Sequence, residues 1–145
     1  VKQGIYDAFM RGPEHLVEFF HGYTYSGHPL ACAAGLAALE VYREEGLFER
    51  ARRLESVLEE AVHALRDEPN VIDIRNFGLA AAVELAPRAG QPSLRAMQVF
   101  DRCFQDGVML RYTGDILALG PAPIASEDEV GMLVDTLRRA IRAAA

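Results

Sequence analysis

The sequence predicts an α+β layer, a small sheet with helices packed on one face, and three observations carry that prediction. Several segments repeat apolar residues at spacings of three and four, the signature of a helix with one buried stripe. Short apolar runs bounded by Gly, Pro, Asn or Asp read as strands. The segments follow one another as helix, helix, strand, strand, helix, strand, strand, helix, and a sheet with its helices on one face would bury all the stripes. The 145 residues are half hydrophobic and one quarter charged, which suits one domain with a real core.

Residues 1–20 read as an irregular lead-in with a short helix near Ile5–Met10, broken by Gly12-Pro13. Phe9, Leu16, Phe19 and Phe20 are too apolar to face water, so they predict an exposed patch or a contact with another copy. The run His21-Gly22-Tyr23-Thr24-Tyr25-Ser26-Gly27-His28 is a polar, Gly-punctuated turn. Pro29 suits the first helical position, since its φ is already helical and its missing N–H has no partner there. The turn therefore precedes a helix N-terminus, where free N–H groups and the dipole favour an anion. Thr24 adds a hydroxyl to such a site.

From Pro29 to about Glu45 a helix of small residues carries Leu30, Ala33, Ala34, Ala37 and Val41 on one stripe. Gly46 ends it. A second helix, Leu47 to about Arg66, aligns Leu47, Ala51, Leu54, Leu58, Ala61 and Leu65, with Val62 beside them. Its charged face of Glu49, Arg50, Arg53, Glu59 and Glu60 reads as solvated surface. Val71–Arg75 and Leu79–Leu85 form a hairpin about Asn76-Phe77-Gly78. Pro92-Ser93 begins a helix to about Asp106, with Leu94, Met97, Val99, Phe100, Cys103 and Phe104 as its apolar bulk. Met97 and the phenylalanines are assigned to the core.

Val108–Arg111 reads as a strand, Tyr112–Asp115 as a turn, and Ile116–Leu119 as the next strand. The last helix opens on a capping box, Ser126 with Glu129. Its buried stripe is Val130, Leu133, Val134, Leu137, Ala140 and Ile141, and Arg138, Arg139 and Arg142 suit its negative end.

The formal net charge of −6 argues against nucleic acid as a partner. No apolar run has the length of a membrane helix, and no secretory signal opens the chain, so no membrane association is expected. The two cysteines, Cys32 and Cys103, suit a reducing, cytoplasmic setting, and Cys32 reads as a small buried thiol. His21, His28 and Cys32 match no zinc pattern and lack a fourth ligand, so no metal is assigned. His28 is read instead as the cap of the helix it precedes. Arg111 ends an apolar strand before a Gly-containing turn, which brings its guanidinium out at the sheet edge. A planar, permanently charged fork matches a carboxylate there. The alternative is a surface arginine paired with Asp115.

The segment Phe20 to Leu36 resembles a signature of the class III (omega) aminotransferases, fold-type-I enzymes that use pyridoxal 5'-phosphate (PLP). The similarity continues along the chain and points to the omega-amino acid:pyruvate (beta-alanine:pyruvate) branch. By that resemblance Thr24 would reach across a homodimer to the cofactor phosphate of the other subunit, with Gly22 and Tyr23 beside it. Tyr23 and Tyr25 either line the cofactor rim or merely pack. Arg111 would bind the α-carboxylate of pyruvate or an amino acid and swing away when an amine donor lacks one. The resemblance also implies a Schiff-base lysine, yet Lys2 is the only lysine of this chain, and no site is built around it. The catalytic lysine is therefore expected upstream. Residues 1–45 are read as a remnant of a large cofactor-binding domain with its interdomain helix, and 46–145 as the small C-terminal domain. Such a fragment is expected to be inactive in isolation. A non-catalytic α+β module that binds an anionic metabolite is the alternative.

Overall fold

The computed structural model describes residues 1–13 and 23–145. Its helices are α1 (Gln3–Phe9), α2 (Pro29–Glu44), α3 (Leu47–His63), α4 (Leu94–Gln105) and α5 (Glu127–Ala143). Its strands are β1 (Val71–Phe77), β2 (Ala80–Leu85), β3 (Arg111–Thr113) and β4 (Ile116–Leu119). The chain divides into two compact units, residues 1–39 and 40–145. Each is described by itself.

The 40–145 unit is the predicted α+β layer. Its antiparallel sheet has the order β1-β2-β4-β3, so β4 enters beside β2 and leaves β1 and β3 as edges. Helix α3 lies on β1 and β2, α4 lies on β3 and β4, and α5 packs against both helices. One sheet face carries Ile74, Ala81, Val83, Leu85, Leu117 and Leu119, all buried, because successive strand side chains alternate between faces. Against them stand Leu54, Leu58, Val62 and Leu65 from the α3 side, Ala96, Val99 and Cys103 from α4, and Val130, Val134, Leu137 and Ile141 from α5. The predicted stripes of α3 and α5 thus become core.

Local chemistry sets the ends of these elements. Gly46 adopts φ +60° and serves α2 and α3 together, ending one and preceding the other. That left-handed conformation costs glycine little and an L side chain considerably more. The Ser126 hydroxyl accepts from the Glu129 N–H, and the Glu129 carboxylate accepts from the Ser126 N–H at 2.7 Å, so the capping box forms as read. Glu68 ties the α3–β1 connection to α5. It accepts from Arg142 twice at 2.6 Å and lies 3.4 Å from Arg138. The Arg142 hydrogen bond lowers the Glu68 pKa below its ordinary value, against the opposing effect of burial.

Four readings need correction. Strand β1 runs on through Asn76 and Phe77, which pair with Ala81 and Ala80, so the turn is tighter than the sequence suggested. Val108 and Leu110 are buried but outside any strand, because the Val108 N–H bonds back to the Cys103 carbonyl at the end of α4. In α4 the buried positions are Ala96, Val99 and Cys103, which turns Met97 and Phe104 outward, Phe104 to 61% exposure. Phe104 stacks instead on Phe100, with centroids 6.3 Å apart. The charged face of α3 is more than solvated surface. Arg50 donates to the carbonyls of Ile124 and Ala125, and Glu55 accepts from the Gly78 N–H in the hairpin turn.

The 1–39 unit buries none of its described residues. Phe9 is 45% exposed, while Leu16, Phe19 and Phe20 lie outside the described residues. Throughout α2 the stripe Leu30, Ala33, Ala34, Ala37 and Val41 is exposed. Cys32 is exposed too, contrary to its reading as a buried thiol, because no described residue of its own unit is buried and the small-residue stripe builds no core there. Cys103 is the buried one, and desolvation pushes its thiol up to about 11.

Candidate functional site

The turn before α2 and the edge strand β3 hold the predicted site residues. They belong to different units. In the first, residues 24–27 form the turn, closed by the Ser26 N–H on the Tyr23 carbonyl and the His28 N–H on the Tyr25 carbonyl. Tyr23 and Thr24 are exposed, while Gly22 and His21 lie outside the described residues. His28 serves the helix start through its carbonyl, which accepts from the Cys32 N–H at 2.9 Å. Helix starts also leave N–H groups without intrahelical acceptors, so an exposed hydroxyl beside them suits a phosphate oxygen. That is the fit this segment offers to PLP. Lys2 offers none, since it is an exposed residue at the N-cap of α1.

In the second unit Arg111 opens β3, where the sequence had it ending a strand. The three-residue strand is the sheet edge, and it pairs only with β4. Tyr112 stands opposite Leu117, a core residue, and its ring lies 5.3 Å from that of Phe100 on α4. Side-chain alternation then directs Arg111 and Thr113 to the other face, which the helices leave open. Gly114, at φ +59°, makes the β3–β4 turn. Asp115 does not pair with Arg111: its carboxylate accepts from the Ser93 N–H at 3.0 Å and its carbonyl from the Leu85 N–H. Among the described residues Arg111 has no ion-pair partner. A guanidinium at a sheet edge without an internal carboxylate is equipped to take one from a ligand.

The surroundings of Arg111 were not legible as a site in the sequence. Across the open face run Arg75, Ala82, Ala118 and Arg111, one from each strand and directly paired in that order. Arg75 is engaged by Asp73 and by Glu84, the latter at 3.0 Å, and these bonds raise its pKa further. A shallow cavity of about 390 Å³ lies over this floor, lined by Arg75, Phe77, Ala80, Ala82 and Ala118 among others. The only available signal was the alternation of Ala80, Ala82 and Glu84 with Ala81, Val83 and Leu85, whose meaning depends on which strands stand beside β2.

Comparison with known proteins shows which proteins the chain resembles. The family model for Aminotransferase class-III matches residues 1–141. An omega-aminotransferase of Caulobacter vibrioides is 54% identical over 94% of this chain and 31% of its own length. A beta-alanine--pyruvate aminotransferase of Pseudomonas aeruginosa is 45% identical over 94% of this chain and 31% of its own. In structure, a thermostable omega transaminase 6-fold mutant from Pseudomonas jessenii superposes with TM-score 0.79 at 35% identity, over 88% of this chain and 30% of that one. The omega transaminase of the same organism in complex with PMP gives TM-score 0.76 at 35% identity, over 86% and 29%. The chain thus spans about a third of the length of the curated relatives it matches.

Proposed function

We propose, from the premise that this chain belongs to the class-III aminotransferase family, that it is the C-terminal portion of an omega-amino acid:pyruvate aminotransferase. Residues 1–45 are assigned to the edge of a large cofactor-binding domain with its interdomain helix, and residues 46–145 to the small domain. When bound, PLP supplies an electron sink for transfer of an amino group from an amine donor to a keto acid. The residues of this chain bind and orient. Thr24, with Tyr23 and Gly22, holds the cofactor phosphate across a homodimer boundary, and Arg111 receives the substrate carboxylate. The exposed small-residue helix α2 supports the dimer, since it lets another backbone come close. Two unpaired thiols support a cytoplasmic setting.

The observation that carries this reading is the Arg111 guanidinium, held at the sheet edge by a strand anchored on α4 and, among the described residues, left without an ion pair. The test uses the complete enzyme that contains this chain. Arg111→Ala should raise the KM for pyruvate by the loss of a charge-assisted bidentate contact, about 1.5–3 kcal/mol, or roughly ten- to hundredfold. An equal loss with a carboxylate-free amine donor would remove Arg111 from this role. Thr24→Ala should weaken cofactor retention more than substrate affinity, as read by PLP dissociation. The 145 residues alone should show no transamination with PLP added, since Lys2 lacks a built site.

A further inference from the structure

We propose that Asp115 is a positioning residue for carboxylate recognition: from the β3–β4 turn it locks the hairpin that carries Arg111 onto the start of α4. The inference rests on the reading of Arg111 as the carboxylate site. It begins from a strained residue. Ser93 precedes α4 at φ +67°, a left-handed conformation that a serine keeps only where its surroundings impose it. Its hydroxyl makes no capping bond. Its N–H donates instead to the Asp115 carboxylate at 3.0 Å, across 22 residues of chain. A carboxylate from the turn thus stands at a helix start, where the dipole favours negative charge.

The same residue also closes the sheet, since the Asp115 carbonyl accepts from the Leu85 N–H at 2.9 Å. Asp115 therefore joins the turn to β2 through its backbone and to α4 through its side chain. The hairpin it ends is short: Arg111, Tyr112 and Thr113 pair with Ala118, Leu117 and Ile116. β3 is an edge strand with β4 as its one strand neighbour, so its direction depends on what holds it from the α4 side. There are two such holds, the Tyr112 ring against Phe100 and the Asp115 carboxylate on Ser93. Phe100 lies seven residues beyond Ser93, which sets the two holds about 10 Å apart along α4. One contact would leave the strand free to pivot, whereas two separated contacts fix its line. They also fix the point from which the Arg111 guanidinium leaves the sheet. A bidentate fork depends on that point, because a small misplacement loses its alignment with the carboxylate.

The experiment compares KM values in the complete enzyme for pyruvate and for n-butylamine, the latter as a carboxylate-free probe. Asp115→Ala removes the hold on Ser93, while Asp115→Asn keeps an oxygen that accepts the same N–H. Asp115→Ala should raise the pyruvate KM at least threefold and leave the n-butylamine KM within twofold. Asp115→Asn should restore most of the loss, with both KM values near those of the parent. In an Arg111→Gln background Asp115→Ala should add nothing to the pyruvate KM, which a general loosening of the domain would not produce. An unchanged pyruvate KM in Asp115→Ala, equal rises for both substrates, an Asn variant no better than Ala, or an effect that persists without Arg111 overturns the proposal. If that happens while Arg111→Gln alone still raises the pyruvate KM, the assignment of Arg111 stands without it. If Arg111→Gln leaves the pyruvate KM unchanged, the assignment falls first and the proposal with it.

Discussion

Helices α2 and α3 are neighbours in sequence and nearly equal in length, 16 and 17 residues, yet one buries nothing and the other buries Leu47, Leu54, Leu58 and Val62. Their sequences explain the contrast. α3 sets long aliphatic side chains on one stripe and charges on the rest, so a single partner surface satisfies it. α2 is apolar around much of its circumference, with Leu30, Leu36 and Leu39 all at 60% exposure or more, and its designated stripe is mostly alanine. Such a helix gains little area from any one neighbour and suits close backbone approach on several sides. Periodicity locates a stripe, and side-chain volume decides whether that stripe makes a core with its own chain.

The contrast can be broken first by truncation. Leu58 is fully buried, so Leu58→Ala should destabilise the 145-residue chain by about 3 kcal/mol or more, the usual cost of removing a core leucine. Leu36→Ala on α2 should change stability by about 0.5 kcal/mol or less. Chemical denaturation of both variants measures the difference, and equal losses would show that α2 is packed in solution.

A smaller effect comes from the polar tie at the far end of α3. The Glu68 carboxylate is 9% exposed and bonded to Arg142, with its pKa lowered from 4.5. A lowered carboxylate pKa stabilises the fold above the ordinary value, and that contribution disappears as pH falls from about 4.5 through the lowered folded-state value. Glu68→Gln should therefore cost about 1 kcal/mol at neutral pH and flatten the loss of stability below that range. A variant whose acid transition matches the parent's would remove Glu68 from the account.

The last comparison alters no stability. Cys32 on α2 is exposed, and Cys103 in the core has a thiol pKa of about 11. At pH 8 a thiol reagent should label the isolated chain once, at Cys32, and label Cys103 only on unfolding. If the complete enzyme dimerises through α2 as proposed, Cys32 should become slow there as α2 is covered. Rapid labelling there would count against α2 as an interface helix.

Much of the small domain was legible because its signals are local. The leucine spacing of α3, the Ser126–Glu129 box and the four residues of β4 each specify their own conformation within a turn or two. The edges of elements were less so, since the Val108 N–H chose the Cys103 carbonyl over a strand partner, and Asn76 and Phe77 found Ala81 and Ala80 across the hairpin. Phe104 turned out because the narrow stripe of Ala96, Val99 and Cys103 already filled the space beneath α4.

By itself the sequence determined the element order, the buried stripes of α3 and α5, the hydroxyl-bearing turn before a small-residue helix, and an arginine beside a glycine turn. The tertiary structure alone decided that β4 lies between β2 and β3. That placement sets Arg111, Ala118, Ala82 and Arg75 in one row and, among the described residues, leaves Arg111 without a carboxylate partner. The reason is physical: helical stripes and caps depend on residues three or four apart, whereas cross-strand neighbours are fixed by register between segments more than thirty residues apart in the chain.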